Sequence, residues 1–274
     1  MSFEKKIEFT KDNIDMYLKE VAKEYRKQIG KKMPAEIILI GGASVLINYG
    51  FREMTTDIDA IIRAASAMKD VINRVGDRYN LPNGWMNQDF KRTESYSSNL
   101  VQFSEYYKTY SNVLTIRTVS AEYLIAMKLR SGRQYKSDLS DVIGILAEHE
   151  KKGTIITMNQ IQKAVSDLYG SWETLSEGSR NFIENVMHDA HFEELYEQIV
   201  KGEKETKELL IQFEQDYPGV TREVNVSDIA NNLQQKTNQA AILAMLREKK
   251  DGLGHFSSPA RNSGSIFCEY WQME

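Results

Sequence analysis

The stretch Ile37-Ile38-Leu39-Ile40-Gly41-Gly42-Ala43-Ser44-Val45-Leu46, followed shortly by Thr55-Thr56-Asp57-Ile58-Asp59, decides how this chain is read. Four consecutive apolar residues predict a short buried strand, and Gly41-Gly42 ends it. Residues 43–49 are short and apolar, fitting a helix that Gly50 can cap, and residues 58–62 supply a second strand. The order is strand, helix, strand. A turn from strand to helix is where glycine lets a ligand approach the backbone and where unpaired N–H groups can receive phosphate oxygens. The bland alternative is a tight turn that needs positive φ. Asp57 and Asp59 are two residues apart on a strand, so their side chains project to one face. Carboxylates that close repel unless a cation lies between them, and Mg²⁺ or Mn²⁺ with its preference for oxygen ligands suits the pair. By itself Asp-x-Asp also describes a solvated strand end; the glycine turn beside it changes the weighting.

Working outward, Ile14, Met16, Tyr17, Val21 and Tyr25 recur at helical spacing over residues 11–29, with Gly30 and Pro34 ending the run. Residues 65–79 read as a further helix, and Leu81-Pro82-Asn83-Gly84-Trp85 as a loop. Residues 99–119 alternate in polarity and suggest one or two more strands. Ser120 can cap a helix over 121–131, and Ser137 another from 138 to about 150. Beyond Gly153 strand signals fade. Residues 158–168, 176–214 and 226–250 favour helices, with breaks near Gly202 and at Pro218-Gly219, and 252–274 mixes Gly, Ser, Pro and Asn in the manner of a tail that is either flexible or docked on a partner.

Composition narrows the chemistry. A chain of 274 residues with 41% hydrophobic and 27% charged residues is ordinary for a globular protein. Residues 1–150 carry 22 Lys/Arg against 20 Asp/Glu, and the remainder 13 against 19. A mildly basic first half accepts a polyphosphate or a local stretch of nucleic acid but lacks the footprint of a long-duplex binder. No apolar run approaches membrane-spanning length, and the charged opening lacks a signal-peptide core, which places the protein in the cytoplasm. One cysteine, Cys268, and four scattered histidines argue for oxygen rather than thiolate ligation of any metal.

Ile40-Gly41-Gly42-Ala43-Ser44-Val45-Leu46, then Arg52, Thr55 and Asp57-Ile58-Asp59, resembles the polymerase-β-type nucleotidyltransferase superfamily, with the nearest likeness to its bacterial branch containing AbiEii-like toxins and uncharacterised relatives. The order Glu122, Lys128, Arg133, Asp138, Asp141 is similar to the lysine helix and Arg-x-Asp-rich segment of that branch. The likeness covers about residues 35–146. It implies an α+β fold, a nucleotidyltransferase-like mixed sheet flanked by helices, over residues 1–150, followed by a mainly helical region at 151–251. It also implies that Gly41, Gly42 and Ser44 contact nucleotide phosphates, that Asp57 and Asp59 hold the metal, and that Lys128 and Asp138 complete the catalytic set. The activity implied is transfer of a nucleoside monophosphate from an NTP to an RNA, protein or small-molecule acceptor, with a cognate antitoxin as a further partner. Better-known members carry a third acid on a later strand, where this chain offers Arg117; that departure motivates a second reading, a catalytically weak protein binding a nucleotide or partner. For the later residues plainer roles stand beside these: helix-dipole compensation for Asp138 and Asp141, an exposed helical lysine for Lys128, and surface ion pairs for Arg52 and Arg133. Trp85-Met86-Asn87 either frames a base or packs into its own domain.

Overall fold

The computed structural model describes residues 8–133, 136–189, 191–222 and 225–233. The tail at 252–274, Cys268 and most of the helix expected over 226–250 lie outside the described residues.

Chain entry is set by α1 (Lys11–Ile29), whose Thr10 and Asn13 form a reciprocal capping box. Its inner stripe is Ile14, Tyr17, Leu18, Val21, Ala22 and Tyr25; Met16, counted in the apolar stripe from spacing, is on the outer side at 40% exposure. β1 (Ala35–Leu39) follows, then α2 (Gly41–Asn48), β2 (Ile58–Arg63), α3 (Met68–Tyr79) and the two-residue β3 (Met86–Asn87). A hairpin of β4 (Ser104–Tyr110) and β5 (Leu114–Val119) leads into α4 (Ala121–Ser131), α5 (Asp138–Lys151), α6 (Met158–Tyr169), α7 (Glu177–Asp189) and α8 (Phe192–Asp216).

The five strands form one mixed sheet in the order β3-β2-β1-β5-β4. β1 runs antiparallel to β2 and parallel to β5, in registers that set Leu39 opposite Ala60 and Thr118. β1 is central and buried on both faces. Ile38 and Ile40 join Ile61 and Val119 in a core closed by α4, α5, α6 and α7, while Ile37 and Leu39 join Ile58, Ala60 and Ile116 in a second core under α1 and α3. This two-sided burial is why the strand reads as an unbroken apolar run, each such side chain contributing roughly 1.5–3 kcal/mol. The α+β class, with a mixed sheet flanked by helices and a helical C-terminal region, is as expected.

Local expectations change in three places. Met86-Asn87, expected in or beside a loop, pairs in parallel with Ile58-Asp59 and extends the sheet. α8 runs through Gly202 without interruption; tertiary contact outweighs the roughly 1 kcal/mol propensity cost of one helical glycine. Neither Ser120 nor Ser137 makes a side-chain cap to its helix; at α5 the Leu139 and Ser140 N–H groups donate instead to Glu203 of α8.

Candidate active site

β1 delivers the glycine turn. The Ile40 N–H donates to the Asp59 carbonyl at 2.9 Å, so the start of α2 and the acid pair at the head of β2 lie side by side. Gly41 adopts φ +53°, a left-handed conformation costly for other residues. Gly42 is needed for space: a Cβ there would lie 2.8 Å from Thr55 Oγ1 and 2.9 Å from Arg52 Nη2. The Ser44 hydroxyl points inward. It is fully buried and accepts the Val119 N–H at 3.1 Å, tying α2 to β5 rather than facing the turn.

Asp57 is exposed and Asp59 half-buried. Burial pushes the Asp59 carboxyl up to about 6, Asp57 adds to the rise, and Lys136, Arg133 and Lys128 oppose it. A partly desolvated carboxylate beside a second one is a donor set that a hard divalent cation relieves, so the pair fits Mg²⁺ or Mn²⁺. Among the described residues no group of three or more Asp, Glu, His or Cys side chains gathers as a metal cage. On β5 the place of a third acid is taken by Arg117, whose Nε donates to Ser104 Oγ at 2.8 Å and whose Nη2 donates to the Ser104 carbonyl.

The later residues meet in a buried ionic cluster. Lys128 on α4 is 7% exposed, and its Nζ lies 2.9 Å from Asp138 Oδ1 and 2.8 Å from Asp141 Oδ2. Asp138 and Asp141, one turn apart on α5, are 1% and 2% exposed. Arg133 Nε reaches Asp138 Oδ2 at 2.8 Å, and Arg52 Nη1 reaches Asp141 Oδ1 at 2.6 Å. Burial favours neutral Lys128, but Asp138 and Asp141 outweigh it and raise its ammonium above the ordinary lysine value. Burial likewise works to raise Asp138, and Lys128 with Arg133 overcomes it, holding the carboxyl well below the usual range. Because Arg52 also abuts Gly42, the cluster is continuous with the glycine turn.

Lys128 and Asp138 are thus brought together, whereas the plain reading of Lys128 as an exposed helical lysine is overturned by its burial. Asp141 and Arg52, equally at home as a helix-end acid and a surface arginine by sequence, are bonded partners within the cluster; the three-residue spacing of the acids and the placing of Arg52 before Thr55 were the available signals. Trp85 is excluded from a base wall. It is 3% exposed, donates to the Ile72 carbonyl at 3.1 Å and packs on Phe9 and Tyr17 in the core opposite the acid pair.

A family model described as "Nucleotidyltransferase of unknown function (DUF6036)" matches residues 16–169, more than half of the chain. The chain belongs to this family. No curated protein and no solved structure matches it. The DUF6036 match runs from within α1 to the end of α6 and so contains the glycine turn, the acid pair and the ionic cluster. It supports the nucleotidyltransferase superfamily inferred from the two short motifs. No helix among the described residues is long and apolar enough to cross a membrane.

Proposed function

We propose that this DUF6036 nucleotidyltransferase moves a nucleoside monophosphate from an NTP to a hydroxyl or phosphate of an RNA, a protein or a small molecule, with pyrophosphate leaving. The observation that carries the reading is the lateral contact between the Gly41-Gly42 turn and the Asp57/Asp59 pair, through the Ile40–Asp59 hydrogen bond. Asp57 and Asp59 hold the divalent cation, which when bound neutralises and orients the triphosphate. Gly41 and Gly42 keep the backbone open to phosphate, and Ser44 serves this site by anchoring the turn to β5. Asp138 and Asp141 keep Lys128 charged although buried, so its field and that of Arg52 favour the negative charge that grows as the phosphoryl bond breaks. Positioning and electrostatics suffice for such transfer, without a covalent nucleophile. Residues 1–150 are proposed as the catalytic unit and 151–251 as the part that selects the acceptor.

Within the superfamily we place the chain nearest the AbiEii-like branch, on Lys128, Arg133, Asp138 and Asp141, with a cognate antitoxin as a regulatory partner. The experiment is incubation with Mg²⁺ or Mn²⁺, each α-labelled NTP, and total cellular RNA or protein, repeated with Asp57→Ala/Asp59→Ala. Label transfer lost in the double variant supports the enzyme. The tied-up Arg117 at the third-acid position favours the second reading, a nucleotide- or partner-binding protein of a toxin–antitoxin or phage-defence system; metal-dependent NTP binding without transfer to any acceptor would decide for it.

A further inference from the structure

The N-terminal turn of α5 carries Asp138 and Asp141, yet its own cap residue, Ser137, makes no side-chain hydrogen bond to the helix. Helix N-termini leave their first N–H groups without intrahelical partners, and buried ones must find acceptors elsewhere. Here the acceptor comes from α8, more than sixty residues on. Glu203 Oε1 accepts the Leu139 N–H at 3.1 Å and the Ser140 N–H at 3.2 Å. Ser140 is 4% exposed, so water is a poor substitute. The two donors lie between Asp138 and Asp141 in the chain, the residues that hold Lys128, Arg133 and Arg52 in place.

We infer that Glu203 is a positioning residue for nucleotidyl transfer: by capping α5 from α8, it fixes the two carboxylates that orient Lys128 and Arg52. The inference rests on the proposed activity. It makes α8, although beyond the 16–169 family match, part of what completes the site. Both bonds end on one oxygen, so the role needs an acceptor at that point rather than a full negative charge. Burial, the largest influence, pushes the Glu203 carboxyl up to about 7, with Asp141 adding to the rise against the opposing Ser140 and Leu139 bonds.

Glu203→Ala should lower kcat for label transfer by about tenfold while leaving KM for the NTP within about twofold, since a displaced catalytic turn costs rate more than ground-state binding. Glu203→Gln, which keeps the oxygen, should recover most of kcat. Glu205→Ala, on an exposed stretch of the same helix, should match the parent. Amide hydrogen exchange on the full chain, without nucleotide, should show faster exchange at Leu139 and Ser140 in Glu203→Ala, with protection in β1 and β5 retained. Unchanged kcat and unchanged exchange in Glu203→Ala would overturn the inference, as would a Gln variant no better than Ala. Should the parent transfer no label to any acceptor, the nucleotidyltransferase reading fails and the catalytic role falls with it; the exchange data then decide the cap alone.

Discussion

Gly42, Asp57 and Asp59 show how three small choices of residue build the edge proposed to receive a polyphosphate. At Gly42 any side chain meets Thr55 Oγ1 and the Arg52 guanidinium. Gly42→Ala should therefore destabilise by about 1–3 kcal/mol through overpacking, read as a shifted urea midpoint at unchanged slope. Gly41→Ala has open space around it and is strained only through its positive φ, so its smaller loss separates crowding from backbone conformation. Asp57→Asn and Asp59→Asn should each cut label transfer by about a hundredfold or more, on the scale of losing a principal electrostatic group, with circular dichroism unchanged. Parent-like transfer by either variant would remove that carboxylate from the metal site. At this scale the motif was legible: glycines and acids are recognisable because few other residues can do what they do. The inward turn of Ser44 was not, since a hydroxyl at that spacing serves a phosphate or a backbone amide equally well.

Among the elements, α4 and α5 meet through charge as well as apolar contact. Lys128→Met would strip the cation from between Asp138 and Asp141 and should cost about 3–5 kcal/mol, the range for breaking one side of a buried ion pair; thermal unfolding measures it. Asp138 also makes stability depend on acid. Its carboxyl titrates well below the ordinary aspartate value in the folded chain, so its contribution is fully present above about pH 4 and is lost as pH falls further. Asp138→Asn should be less stable at neutrality and show a weaker acid dependence; an acid limb identical to the parent's would remove Asp138 from the cluster's energetics. Sequence spacing placed the acids in the first turn of a helix and the lysine on the preceding one. It could not choose between dipole compensation and ion pairing, because that depends on the angle at which the two helices cross.

For the whole molecule, the core on one sheet face passes from Ile38 and Val119 through α4 and α5 to Ile161 and Val165 of α6 and Ile183 of α7. Ile161→Ala should cost about 2–5 kcal/mol and move the unfolding of the sheet together with that of the helices, followed by tryptophan fluorescence and far-ultraviolet dichroism. Two separate transitions would instead support independent folding of the parts before and after residue 150. Local reading of the chain was enough for the strand–turn–helix–strand order and for setting Asp57 beside Asp59, because period and glycine placement are local properties, while the α+β class followed from the resemblance that those motifs carry. Only the tertiary structure decided that Trp85 is core, that Lys128 is buried between two aspartates and that Glu203 caps α5. Each of those depends on which surfaces meet across long separations, where packing and desolvation, rather than local spacing, set the environment of a side chain.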